Sequence, residues 1–185
     1  MVYHLEDAEL SFSFWAYRRV MSKQGFSHVG LATCDMESTK NFYENVLGFD
    51  CIVENRIEVK EGGYLQQAIF DIGQGQFIAF LESHEVPGIA EEYDTGITSS
   101  LGVPSMFYHI AFSVDTIEIL DEMRCRLQKK GVNVSDIIQH GPAKSIYLKD
   151  PNQIQLEFTS ATRELDQEAT HGAFVVSKES FDPVG

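Results

Sequence analysis

The feature that most constrains this chain is a repeat: FSHVGLA at residues 26–32 returns as FYHIAFS at residues 107–113, with His28 and His109 at equivalent places. Self-similarity of this kind has to be explained before any local structure, because each copy must be one unit of a larger architecture. Each copy opens with an aromatic residue, any residue and a histidine, then mixes small and apolar residues, which reads as a strand with its histidine on one face. After the first copy, Asp35 is placed to cap a helix whose apolar side is Phe42, Tyr43, Val46 and Leu47, and Gly48 stands where a left-handed terminal residue is wanted. After the second, Asp115 is expected to cap a helix through Ile119, Leu120, Met123 and Leu127 that stops at Gly131.

Short β-rich runs follow each helix: FDCIVE, YLQQAIFDI and QFIAFLE in the first half, VNVSDII, KSIYL and QIQLEFT in the second. Each half is therefore read as βαβββ. One such unit leaves a sheet face uncovered, so two are expected to pair around a cleft with the helices outside, an α+β fold. Module one is expected over 25–83, an acidic linker over 84–105 and module two over 106–160, together forming a domain at 24–161. Residues 1–23 are read as an N-terminal helical extension and 162–185 as a loose tail.

Strand alternation then selects chemistry. His28 shares a face with Gly30 and Ala32, His109 with Ala111 and Ser113, and Glu157 with Gln155 and Thr159, while Ile154, Leu156 and Phe158 take the opposite face. The apolar set must pack under a helix, which leaves two imidazoles and a carboxylate on faces lined by small residues. A lone strand histidine is usually a hydrogen-bonded core residue, but two at equivalent repeat positions facing one acid form a set suited to a divalent ion with open positions. The metal ligands expected are His28, His109 and Glu157. Fe(II) is the expected ion, with Mn(II), Ni(II) and Zn(II) compatible with the same donors.

Composition narrows the partners. Apolar residues make up 43% and charged residues 23%, the usage of a folding domain rather than a disordered chain. The net charge of −14 repels phosphate backbones and anionic membrane surfaces, so a small-molecule substrate is expected and nucleic acid and membrane are not. Cys34, Cys51 and Cys125 are odd in number and widely spaced, which writes neither a disulfide framework nor a CxxC motif and fits the cytoplasm. The opening MVYHLEDAELSFSFWAYRRVM has acids in front and arginines behind, the reverse of a secretory signal.

With its paired βαβββ units, a histidine opening a strand in each half and the closing run DPNQIQLE, the chain resembles the vicinal-oxygen-chelate superfamily of glyoxalases, fosfomycin-resistance proteins and extradiol dioxygenases. Within it, IQHGPAKSIYLKDPNQIQLE is similar to the extradiol-dioxygenase signature through His140, Ile146, Tyr147, Asp150, Pro151 and Glu157, with Gln153 where a glycine is usual. The resemblance implies three protein ligands, Tyr147 as a hydrogen-bond donor to substrate and His140 as a proton carrier in Fe(II)-dependent oxidative cleavage of a catechol-like compound. Laying GQFIAFLES over NQIQLEFTS sets Phe80 against Glu157, where other branches supply a second carboxylate; Glu82 lies two residues on. His84 is a candidate acid/base at the cleft mouth. Because modules of this type can pair between chains, a homodimer is compatible with the sequence. Two rival readings stay open: a non-oxidative lyase, isomerase or thiol transferase using the ion as a Lewis acid, and a drug-binding resistance protein without catalysis.

Overall fold

The computed structural model describes residues 25–163 and 182–184. The helix expected before residue 24 and most of the expected tail lie outside them. Strand β1 (His28–Ala32) leads into helix α1 (Met36–Lys40), which widens into a π-helical stretch (Asn41–Leu47), and then into β2 (Asp50–Glu58), β3 (Tyr64–Gly73) and β4 (Gln76–His84). After a connection holding α2 (Ile97–Leu101) and a 3₁₀ turn (Ser105–Phe107), the same order returns as β5 (His109–Ser113), α3 (Ile117–Lys129), β6 (Ile138–His140), β7 (Ala143–Lys149) and β8 (Gln155–Ala161). The two four-stranded sheets have matching topologies, β1-β4-β3-β2 and β5-β8-β7-β6, each with its first strand parallel to its fourth and the other pairs antiparallel. The α+β fold of two βαβββ modules stands as read.

The local signals hold in part. Asp35 accepts from the Ser38 N–H at 2.8 Å, and Gly48 ends the first helix at φ 90°. The widened turn sends both Gly48 and Phe49 N–H groups to the Tyr43 carbonyl. The second helix is capped by Thr116, whose hydroxyl accepts from the Ile119 N–H at 3.3 Å, and not by Asp115. The VNVSDII run is not a strand: only Ile138 belongs to β6, and Val134 makes one isolated bridge to Leu148. The reason lies in Ser135, whose hydroxyl takes the Tyr147 N–H at 3.0 Å that a strand carbonyl would otherwise accept, so the side chain displaces the ladder.

One apolar core serves both modules. Phe42, Tyr43 and Leu47 cover Ala68, Phe70, Ile78 and Phe80 in the first, and Leu120 and Leu127 cover Ile146, Leu148, Leu156 and Phe158 in the second. Phe49 meets Phe112 edge-on at 5.3 Å between ring centroids, joining the two halves. The opposite faces stay open: His28 and Gly30 on β1 are exposed, as are His109, Ala111 and Ser113 on β5.

A buried polar pin also crosses the junction. Tyr43 donates to Asp150 Oδ2 at 3.1 Å, Asn152 donates to Thr39 Oγ1 at 3.0 Å, and the Thr33 and Thr39 hydroxyls lie 2.8 Å apart. Arg126 closes the same seam by donating to the Val46 and Leu47 carbonyls at 2.7 and 3.1 Å. Burial pushes the Asp150 carboxyl above its ordinary value in spite of the donors around it. Asp150→Ala strands the Tyr43 hydroxyl and the Ile154 N–H in dry surroundings and should lower unfolding free energy by about 2–4 kcal/mol, against about 1–2 kcal/mol for Tyr43→Phe. Urea denaturation measures both; changes under about 0.5 kcal/mol would show that the pin contributes nothing to stability.

Candidate metal centre

Parallel pairing of β5 with β8 sets His109 beside Gln155 and Ala111 beside Glu157, while β7 on the other side sets Tyr147 beside Glu157 and Ser145 beside Thr159. Paired residues share a face, so His109, Glu157, Tyr147 and Ser145 all project from the open side of the second sheet. His109 Nε2 lies 2.9 Å from Glu157 Oε2. The other ring nitrogen, Nδ1, is 2.9 Å from the Met106 carbonyl, which can only accept, so Nδ1 carries a proton; the 2.9 Å contact with the Glu157 carboxylate calls for a second proton on Nε2, whose loss leaves a lone pair aimed at the same point. Ser145, itself fully buried, donates to Glu157 Oε1 at 2.5 Å and lies 2.9 Å from the Thr159 hydroxyl.

The electrostatics follow from these contacts. Hydrogen bonding to Glu157 raises the His109 imidazole above its ordinary value against the opposing effect of burial. Burial works against charge on Glu157, but the bonds from His109 and Ser145 outweigh it and hold the carboxyl below the usual range. Tyr147 is bonded to His140, hydroxyl to Nε2 at 2.9 Å, and burial together with the Glu157 charge pushes its phenol well above the usual range, so it stays a neutral donor. An imidazole nitrogen and a carboxylate oxygen converging on one point, with their remaining atoms fixed by Met106 and Ser145, suit a divalent ion. Beside them, Gln155 is 1% exposed and its Oε1 has no hydrogen-bond partner among the described residues.

His28 is not joined to this pair: its Nδ1 lies 3.3 Å from Ser27 Oγ, and among the described residues no three His, Cys, Asp or Glu side chains stand close enough to hold one ion. The register also corrects the alignment of the two closing strands. Gly30 pairs with Ala79 as Ala111 pairs with Glu157, so the counterpart of Glu157 is Ala79, and Phe80 corresponds to the core residue Phe158. Glu82 shares the core-side face with Phe80; it accepts from the Met36 N–H at 3.3 Å and lies 3.3 Å from His84 Nε2, whose ring stacks on Tyr64. Both residues are thus turned away from the open face. His4 and His171 lie outside the described residues.

Ser145 was not singled out by sequence reasoning, although its place two residues before Tyr147 puts it on the same strand face. Ser145→Ala should weaken divalent-metal affinity about 10–100-fold by freeing the Glu157 carboxylate to rotate, with the fold retained. Titration calorimetry with Mn(II) or Zn(II) reads this directly, and an affinity within a factor of about two of wild type would remove Ser145 from the centre.

Residues 25–158 match the model of the Glyoxalase/Bleomycin resistance protein/Dioxygenase superfamily. A metallothiol transferase FosB from Lysinibacillus sphaericus (strain C3-41) is 27% identical over 144 residues, spanning 77% of this chain and 86% of that protein. Among solved structures, a glyoxylase/bleomycin resistance protein/dioxygenase domain from Frankia sp. EAN1pec is similar at TM-score 0.55 and 22% identity, over 76% of this chain and 98% of that one. TnmS3, an antibiotic binding protein from Streptomyces sp. CB03234, is similar at TM-score 0.53 and 16% identity, again over 76% and 98%. With the duplicated βαβββ sheets and most of its length under one family model, the chain belongs to the glyoxalase/bleomycin-resistance/dioxygenase superfamily.

Proposed function

We propose that this chain is a divalent-metal enzyme acting on a small substrate with two adjacent oxygens, its metal held by His109 and Glu157 of one copy and His28 of a second. Support for the second copy comes from the strand order. β1 and β5 are both edge strands, their histidines are exposed, and so are aromatic residues leading into them: Phe26 is 73% exposed and Tyr108 50%. A twofold pairing that sets β1 of each copy against β5 of the other covers both aromatic edges and completes two equivalent centres.

The observation that carries the chemistry is the 2.9 Å bond between Tyr147 and His140 beside the His109–Glu157 pair. Fe(II) bound there would draw together two oxygens of a catechol-like substrate and dioxygen. Tyr147 donates to a substrate oxygen from its neutral phenol, and His140 behind it takes up or returns the proton released when a substrate hydroxyl binds as its anion. Both atoms of O₂ enter the ring-opened product, so no external reductant is required.

A second reading, thiol transfer to an electrophile, is favoured by the similarity to the metallothiol transferase and by Lys149, which shares the open face with His109. Lys149 Nζ already lies 3.9 Å from Asp182, which lessens its pull on an anionic substrate.

Anaerobic reconstitution with Fe(II), followed by oxygen and a panel of catechols, should give oxygen uptake matched to ring-opened product. His140→Ala should lower kcat about 10²–10⁴-fold with metal content unchanged. Metal-dependent thiol consumption with an epoxide and no oxygen uptake would transfer the assignment to the second reading. For the shared centre, co-refolding His28→Ala with His109→Ala chains should restore one metal site per mixed dimer, whereas a centre built within one chain would recover none.

A further inference from the structure

The C-terminal residues Asp182–Val184 return to the turn that precedes His109. Ser105 opens the 3₁₀ turn Ser105–Phe107, and its buried hydroxyl donates to Asp182 Oδ1 at 2.5 Å. The same carboxylate oxygen faces Lys149 Nζ at 3.9 Å. Two residues on, the Val184 carbonyl accepts from Asn133 Nδ2 at 3.2 Å, and Val184 itself is buried. These three residues therefore dock on the turn before β5, the last residue of β7 and the loop after α3. Gln155 lies between His109 and Lys149 in the strand registers, so Asp182 stands at the His109 end of the second sheet.

The turn has a weak hold on its own shape. Its backbone bond, from the Phe107 N–H to the Pro104 carbonyl at 3.1 Å, is of the short 3₁₀ kind, whose geometry is poor. Yet Met106, in its middle, supplies the carbonyl that meets His109 Nδ1 at 2.9 Å, and the direction of the imidazole follows that carbonyl. We infer that Asp182 is a positioning residue of the metal centre: it holds the Ser105 hydroxyl, thereby fixes the Met106 carbonyl, and through that carbonyl sets the ring of His109. The inference rests on the reading in which His109 is a metal ligand. The Ser105 bond is short, charge-assisted and made by a buried donor, a combination that fixes a loop, whereas Lys149 at 3.9 Å does little more than offset the charge.

The test is titration calorimetry of the full chain with Mn(II), read alongside amide hydrogen exchange at Phe107 in the metal-free protein. Asp182→Ala and Ser105→Ala should each weaken Mn(II) binding about tenfold and speed Phe107 exchange by a similar factor, and the double variant should be no weaker than either single one. Asp182→Asn keeps an acceptor for Ser105 while giving up the charge, so its affinity should stay within about threefold of wild type. If the tail serves stability alone, urea midpoints fall while the folded variants bind Mn(II) as wild type does, and that result overturns the inference. An Asp182→Asn protein as weak as Asp182→Ala overturns it too, because the effect then belongs to charge near the ion and not to the bond. Should wild type bind no Mn(II), the metal reading falls; faster Phe107 exchange in Asp182→Ala then upholds the hold on the turn, and unchanged exchange overturns that as well.

Discussion

The carboxylate of Asp150 does two jobs that the remainder of the site depends on. Its Oδ1 accepts from the Ile154 N–H at 2.8 Å, closing the turn that launches β8, and its Oδ2 accepts from Tyr43 in the other module. The strand bearing Glu157 is thus started at a fixed residue and tied to a fixed partner. A slip of one residue there would turn Glu157 into the core and Leu156 onto the open face, exchanging a charge for an apolar side chain at both places. Burying a carboxylate for this purpose is costly, as its raised pKa records, and the cost is met by the donors that converge on it.

Duplication supplies two sheets of the same topology, and their open faces differ in chemistry. The core faces remain interchangeable in kind, Phe80 answering Phe158 and Ile78 answering Leu156, because each must pack under a helix. The open faces carry no such demand. One has acquired a hydrogen-bonded acid, phenol and imidazoles, and the other holds His28 with Asp50, Asp71, Gln67 and Asn55 among apolar residues. Selection for function acts where packing leaves residues unconstrained.

Much of this was legible in the sequence for the same reason. Strand alternation around His109 and Glu157, the Asp35 cap and the terminal Gly48 each depend on residues within a few positions of one another, and the structure has them as read. What was not legible depends on pairing. The counterpart of Glu157 differs by one residue between the linear alignment and the register, because the match of polar to apolar residues in QFIAFLE does not say which residue meets β1. Gln153 shows the converse: it sits at φ 61°, the left-handed conformation where the resembling family has glycine, so the turn kept its backbone while losing the residue that favours it. The distance between His28 and the other two candidate ligands is a relation no pattern within one chain encodes.

His109 and Glu157 satisfy one another directly, and that contact shapes how a cation would enter. An incoming ion must take the place of the proton they share, and since that bond raises His109 and lowers Glu157, proton and ion compete for one pair of lone pairs. Only this contact has to open. The His109 Nδ1–Met106 bond and the Ser145–Glu157 bond both lie on the far side of their groups and can persist, so neither ring nor carboxylate needs to find a new rotamer. A centre whose donors are already aimed would lose little conformational entropy on binding an ion.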